Sequence, residues 1–394
     1  MTSRGNNSAL LFGQMPLADF LRDYWQQKPC LFRQAMPGFQ SPLAADEVAG
    51  LALEDEIESR LIIEQPSPTG EPSQWTVQNG PFTEATLTAL PETHWSLLVQ
   101  AVDQWVPDVH ALLAHFNFLP DWRLDDIMIS VAPPGGSVGP HFDQYDVFLL
   151  QAEGKRHWQV GNRCGPNTAL LDDAALKILA NMELDPTQDW VLEPGDILYI
   201  PPVLAHHGVA ETLSLTWSIG FRAPDAIEAL HGLAMRGDLE PDAEFLRYTD
   251  GDLTVHESTE TGISPAALNR VRTLMQTLLS RDEVVADWLG AFMTQNKYDL
   301  FDWAEIDTHA GTDTLVAGTL LAKALPTRIT AYEQRLYVNG RAFPLTIEDQ
   351  PLIDTLMTDD RWTWGTLINL AHSPQAIETL QTLVLSDSLS IEDD

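Results

Sequence analysis

His141 and Asp143 stand two residues apart in Gly-Pro-His-Phe-Asp-Gln-Tyr-Asp, and a histidine pair, His206 and His207, follows in Ile-Pro-Pro-Val-Leu-Ala-His-His-Gly. In an extended chain, residues i and i+2 point to the same side. The imidazole of His141 and the carboxylate of Asp143 can therefore grip one metal ion from one direction. A histidine from a distant strand completes one triangular face of an octahedron and leaves three positions open. Two imidazoles and one carboxylate in that arrangement are the donor set of non-haem Fe(II) sites that activate oxygen. The plainer alternative is that His141 and Asp143 only hydrogen-bond each other in a loop. Adjacent histidines must point differently, and spacing alone does not choose between His206 and His207. His206 is taken as the third ligand and His207 as its neighbour.

A cation accompanies the triad. In Lys155-Arg156-His157-Trp158-Gln159-Val160 the alternation puts Arg156 on the apolar face with Trp158 and Val160. A guanidinium on such a face requires an anion. A dicarboxylic cosubstrate supplies one, and arginine binds a carboxylate with two parallel hydrogen bonds. An internal Asp or Glu would serve equally as a structural partner. Ser130 shares a face with Met128 and can donate to the same cosubstrate or simply sit satisfied in the core. The remaining histidines show no ligand spacing and read as structural or surface residues.

The elements that must hold these groups follow from periodicity. Leu17, Phe20, Leu21 and Tyr24 mark an N-terminal helix that ends before Pro29, and Ser41 to Leu53 reads as a second helix. Ser59 to Val77 gives two strands around a Pro/Gly turn. Trp95 to Phe116 reads as mostly helical, broken at Pro107. From Asp125 to Phe221 the period becomes two: Ile127, Ile129 and Val131 alternate with Met128 and Ser130, and further strands fall at Val147 to Gln151, Arg156 to Val160, Ile197 to Ile200 and Leu213 to Phe221. Short strands joined by Gly/Pro turns indicate a barrel or sandwich. Beyond Pro224, Asp225 to Met235 reads as a helix and Gly237 to Gly262 as a polar linker. Ser264 caps a helix with Pro265 at its first position and an apolar stripe of Leu268, Val271, Met275, Leu278 and Leu279. Asp287 to Met293 reads as another helix. Asn339-Gly340 signals a hairpin, and Ser386 to Asp394 reads as an acidic tail without fixed structure.

The net charge of −35 disfavours adhesion to nucleic acid or anionic membrane, because phosphate binding rests on clustered Lys and Arg. It favours a basic partner through long-range attraction. A high-salt habitat, with acids spread over every surface, accounts for the charge as well. Cys30 and Cys164 are the only cysteines, which fits a reducing cytoplasm rather than a disulfide framework. No apolar run is long enough to span a membrane, and the N-terminus lacks the apolar stretch of a signal peptide.

Four segments carry a family resemblance: Asp121 to Ser130, Gly139 to Phe148, Gly195 to Pro202 and Ser218 to Pro224. With Asp19 to Arg33 and Trp95 to Val102, they resemble the JmjC-type bacterial ribosomal oxygenases of the cupin superfamily, which hydroxylate an arginine of large-subunit ribosomal protein sixteen. The likeness is strong up to Pro224 and thin beyond Asp250. It implies iron ligands at His141, Asp143 and His206, a 2-oxoglutarate anchor at Arg156 and a cosubstrate-contacting serine at Ser130. It also settles the tie in favour of His206, which holds the family's place after Pro-Pro. His207 departs from the family's pattern and leaves the finer pocket open.

The resemblance implies a mixed fold with a mainly β core: a double-stranded β-helix, the cupin/JmjC jelly roll, with flanking helices. It assigns residues 1–224 to the catalytic domain, 225–300 to a helical dimerisation region and 301–394 to a winged-helix-like α+β domain with the acidic tail. The expected activity is a cytoplasmic, homodimeric Fe(II)- and 2-oxoglutarate-dependent dioxygenase that hydroxylates the β-carbon of an arginine in a basic ribosomal protein. Direct binding of nucleic acid or membrane is not expected. The rivals are a ribosomal-protein histidine hydroxylase, a lysine demethylase, and a non-catalytic cupin-like binding protein.

Overall fold

The computed structural model describes residues 10–67, 73–172, 176–235, 246–256, 262–298, 303 and 315–392. By internal contacts the chain divides into two units, Met1–Ala223 and Pro224–Asp394.

The first unit is built on two antiparallel sheets. The major sheet has eight strands in the order Cys30–Phe32, Ile197–Ile200, Asp146–Glu153, Ser214–Phe221, Leu124–Ala132, Trp95–Val99, Ser59–Gln65 and Gln74–Asn79. The minor sheet runs Leu184–Leu192, Arg156–Arg163, Leu204–Ala210. Side chains of the two sheets pack together, as in a jelly roll. The alternation expected in the last strand is realised: Leu215, Trp217, Ile219 and Phe221 enter the main core with Ile127, Ile129, Phe148 and Leu150. Thr216 and Ser130 are cross-strand partners, both buried. The strands Asp146–Glu153 and Ile197–Ile200 are buried on both faces. Phe148 and Tyr199 face the main core, while Val147, Leu149, Leu198 and Ile200 pack with Trp158 and Val160 of the minor sheet. Burial on both sides is why these strands read as continuous apolar runs.

Two expectations are corrected, and two strands add to those expected. Trp95–Val99 is a central strand, paired to Ser59–Gln65 and Leu124–Ala132, and not part of a helix. Ser96 to Val99 are all buried, so neither a two-residue nor a helical period shows, and pairing with two neighbours decides the conformation. Helical turns begin only afterwards, with Pro107 starting the short helix Pro107–His110. Two strands of the minor sheet had no sequence signal. Leu184–Leu192 is a polar edge strand carrying Pro186, a residue edge strands tolerate, and Leu204–Ala210 contains His-His-Gly. The C-terminal stretch is not wholly an unstructured tail: Leu389–Ile391 pairs with Leu320–Lys323, and Leu389 is fully buried.

In the second unit Ser264 Oγ accepts the Ala267 N–H and starts the helix Pro265–Leu279. The helix Asp282–Thr294 follows. Most of the expected polar linker lies outside the described residues, and the described part, 246–256, holds neither helix nor strand. The hairpin pairs Arg335–Val338 with Arg341–Pro344 around Asn339 and Gly340, at φ 46° and 82°. Asparagine suits that corner doubly, because its Oδ1 accepts the Arg328 N–H and its Nδ2 donates to Ser388 Oγ. The helices Gln350–Thr358, Trp364–Leu370 and Pro374–Leu385 pack Leu352, Leu356, Leu367, Leu380 and Leu383 into this unit's core.

A fully buried carboxylate, Asp349, ties that core together. It accepts from Thr346 N and Oγ1, from His372 N, and from Ser373 N and Oγ, at 2.6 to 3.0 Å. Burial alone would raise its pKa, but the bonds from Ser373, Thr346 and His372 outweigh it and hold the group well below the usual carboxylate range. A carboxylate depressed in the fold stabilises above the unfolded pKa, near 4, and that contribution is lost as pH falls. Asp349→Asn should destabilise this unit by about 2–3 kcal/mol at neutral pH and flatten its acid-induced loss of stability. Urea unfolding at pH 7 and pH 3 checks both, and an unchanged pH dependence contradicts the account.

Candidate metal centre

Backbone pairing places the two histidines. The His141 N–H donates to the His206 carbonyl at 3.0 Å, and the His206 N–H donates to the His141 carbonyl at 2.8 Å. This reciprocal bridge makes them directly opposed antiparallel partners, whose side chains share a face. Their ring centroids are 4.3 Å apart. Asp143 lies two residues on, its Oδ2 3.5 Å from His206 Nε2 and 4.0 Å from His141 Nε2.

The tautomers follow from the carbonyls behind the rings. His141 Nδ1 lies 2.9 Å from the Gly139 oxygen, and His206 Nδ1 lies 2.9 Å from the Leu204 oxygen. A carbonyl only accepts, so each Nδ1 carries a proton, and each Nε2 is the nitrogen turned toward Asp143. Burial and the neighbouring His141 push the His206 imidazole down to about 4, so it is neutral and able to ligate at physiological pH. Two imidazole nitrogens and one carboxylate, with donor atoms all within 4.8 Å of one another, fit a divalent first-row ion. His206 is buried, whereas His141 and Asp143 are half-buried.

One strained turn sets Asp143 against the His206 strand. Val203, following Pro201-Pro202, sits at φ 57°, where a β-branched residue costs about 1–2 kcal/mol. Its N–H donates to the Asp143 carbonyl at 2.7 Å, and its carbonyl accepts the Cys164 N–H at 2.7 Å. Sequence reasoning missed this residue, because valine is among the last residues expected in that conformation. The proline pair hints at a turn and no more.

Arg156, Trp158 and Val160 are buried, while Lys155 is exposed and His157 and Gln159 are half-buried, as alternation requires. Arg156 Nη1 donates to Ser130 Oγ and Nη2 to the Gly208 carbonyl, both at 3.3 Å. Its Nε has no partner. Among the described residues no carboxylate neutralises it, so the internal ion pair is absent. Burial lowers its pKa to about 10, which leaves the guanidinium charged at neutral pH. Ser130 Oγ, besides accepting from Arg156, donates to the Thr216 carbonyl at 3.3 Å. His207 points away from the His206 face and pairs in register with Gln159. Its own imidazole is lowered to about 4, chiefly by burial.

Residues 111–229 match the JmjC domain family, and residues 273–390 match the ROXA-like winged helix family. Over 377 residues the chain is 34% identical to the ribosomal protein uL16 3-hydroxylase of Escherichia coli strain K12, covering 93% of this chain and 95% of that protein. The chain belongs to the JmjC-domain ribosomal oxygenases. A probable ribosomal oxygenase of Haemophilus influenzae is 32% identical over 389 residues, 95% of this chain and 94% of the relative. The solved structure of YcfD, a ribosomal oxygenase from Escherichia coli in complex with cobalt and 2-oxoglutarate, matches with a TM-score of 0.79 at 34% identity. That likeness covers 95% of this chain and 98% of YcfD. The expected jelly roll and winged-helix-like domain are both borne out.

Asp143→Ala should weaken Mn(II) binding by more than about a hundredfold, beyond what loss of an outer-shell partner causes. His207→Ala should leave it within about threefold. Electron paramagnetic resonance titration of free Mn(II) reads both, and a loss of about a hundredfold in His207→Ala would make His207 a ligand.

Proposed function

We propose that this chain is an Fe(II)- and 2-oxoglutarate-dependent hydroxylase acting on the β-carbon of an arginine in large-subunit ribosomal protein uL16. The observation that carries the reading is a three-ligand metal set beside a buried guanidinium that has no carboxylate partner among the described residues. His141 Nε2, Asp143 and His206 Nε2 would hold the iron. When bound, iron and 2-oxoglutarate supply oxygen activation coupled to loss of CO2, so that one oxygen atom enters a C–H bond and the other leaves in succinate. Arg156 binds the far carboxylate of the cosubstrate through charge-assisted hydrogen bonds. Ser130 Oγ adds a donor beside it. The apolar side chains of Trp158, Val160 and Leu204 keep water from the inner face.

The substrate follows from the family and from the charge. A chain of net charge −35 attracts a basic ribosomal protein and raises its encounter rate. Such a substrate places the protein in the cytoplasm, and no helix among the described residues is long and apolar enough to cross a membrane. Intact-mass comparison of ribosomal proteins with and without this gene tests the target. Loss of one oxygen atom from an arginine of uL16 supports it, and an unchanged uL16 with a histidine altered elsewhere rejects it. In purified protein, Arg156→Met should lower kcat/KM for 2-oxoglutarate by about a hundredfold, the scale of a lost buried charge pair. Unaltered succinate release would remove Arg156 from cosubstrate binding.

The same reading includes a homodimer. The helix Pro265–Leu279 buries none of its residues within the chain, and Leu268, Val271, Met275 and Leu279 are exposed along one face. Two such stripes can cover each other. Light scattering should give two chains for the wild type and one for the Leu268→Glu/Met275→Glu variant. A wild-type monomer contradicts the pairing.

A further inference from the structure

One large side chain lies beside both the cosubstrate arginine and a metal ligand. Trp158 is 4% exposed. It stands opposite Gly208 across the minor sheet, and a Cβ at Gly208 would lie 2.7 Å from Cη2 and Cζ3 of the indole. The ring therefore lies against bare backbone, in a seat that any side chain at 208 would deny it. Arg156 Cζ is 5.2 Å from the indole centroid, and Arg156 Nη2 donates to the carbonyl of the same Gly208. Toward the metal, the His206 ring centroid is 5.9 Å from the indole. One aromatic ring thus borders both groups that the cosubstrate must bridge.

The register sets the scale of that bridge. Arg156, Trp158 and Val160 stand opposite Ala210, Gly208 and His206. The guanidinium reaches the level of Gly208, one same-face step from His206, or about 6–7 Å along the strand. An extended five-carbon diacid places its terminal carbons about 5 Å apart, and one methylene more or less changes that by about 1.3 Å. We infer that Trp158 is a positioning residue: seated on Gly208, it fixes the reach between Arg156 and the metal and so selects a five-carbon 2-oxo diacid over its four- and six-carbon homologues. This rests on the oxygenase reading above and extends it to the choice of cosubstrate.

Calorimetric titration of the Mn(II)-loaded protein with 2-oxoglutarate, oxaloacetate and 2-oxoadipate tests the inference on wild type, Trp158→Phe and Gly208→Ala. Phenylalanine keeps an aromatic face but shortens the platform, and alanine drives the indole from its seat. Both variants should bind 2-oxoglutarate at least about tenfold more weakly, with Mn(II) affinity within about threefold of wild type. Their preference for the five-carbon acid over the six-carbon acid should narrow by about tenfold, the size of a one-methylene discrimination. Unchanged affinity and preference in both variants overturn the role of Trp158. A loss of Mn(II) affinity equal to the loss of 2-oxoglutarate affinity also overturns it, by making the ring a support of the whole site. A wild type that binds Mn(II) but none of the three acids sinks the cosubstrate reading itself, and this inference with it.

Discussion

The pair of backbone hydrogen bonds between His141 and His206 is the constraint on which the site depends. It makes the two imidazoles direct neighbours without asking anything of their side chains, and it brings Asp143 to the same side by simple alternation. The strand carrying His206 is in turn registered against Arg156–Arg163. A slip of the His206 strand by one residue would present His207 in place of His206 and break up the metal set. The strained Val203 turn, closed by bonds to Asp143 and Cys164, opposes such a slip where the ligand loop meets the start of the strand.

Arg156 is the second constraint. An uncompensated buried charge costs several kcal/mol even after relaxation, and two long hydrogen bonds to neutral oxygens offset only part of it. The folded chain tolerates this because the major sheet buries apolar side chains on both faces of its central strands. On the proposed function, a dicarboxylate that reaches the guanidinium would recover the missing interaction, so that the histidine pair would serve the metal and one buried cation the organic acid.

The candidate metal set and the buried arginine were legible in part from local pattern. His-x-Asp after a Gly-Pro turn and an arginine on an apolar strand face are readable by alternation, whereas the choice of His206 over His207 needed the family resemblance. What stayed hidden was whatever depends on pairing. Trp95–Val99 showed no period because both its faces are covered, and Leu204–Ala210 became a strand only through its neighbours and the bridge to His141. Leu389–Ile391 looked like part of an acidic tail, yet Leu389 is held in the core by Leu320–Lys323. Val203 and the Trp158–Gly208 contact lie beyond any local pattern, since one defies backbone preference and the other joins residues from separate strands.

A crystal structure of the protein grown with Mn(II) and a non-reactive 2-oxoglutarate analogue tests the central claim most directly. The account requires one anomalous peak within bonding distance of His141 Nε2, Asp143 and His206 Nε2, with the analogue's far carboxylate paired to Arg156 beside Trp158. A metal bound through His207, or an analogue whose carboxylate lies away from Arg156, would contradict it.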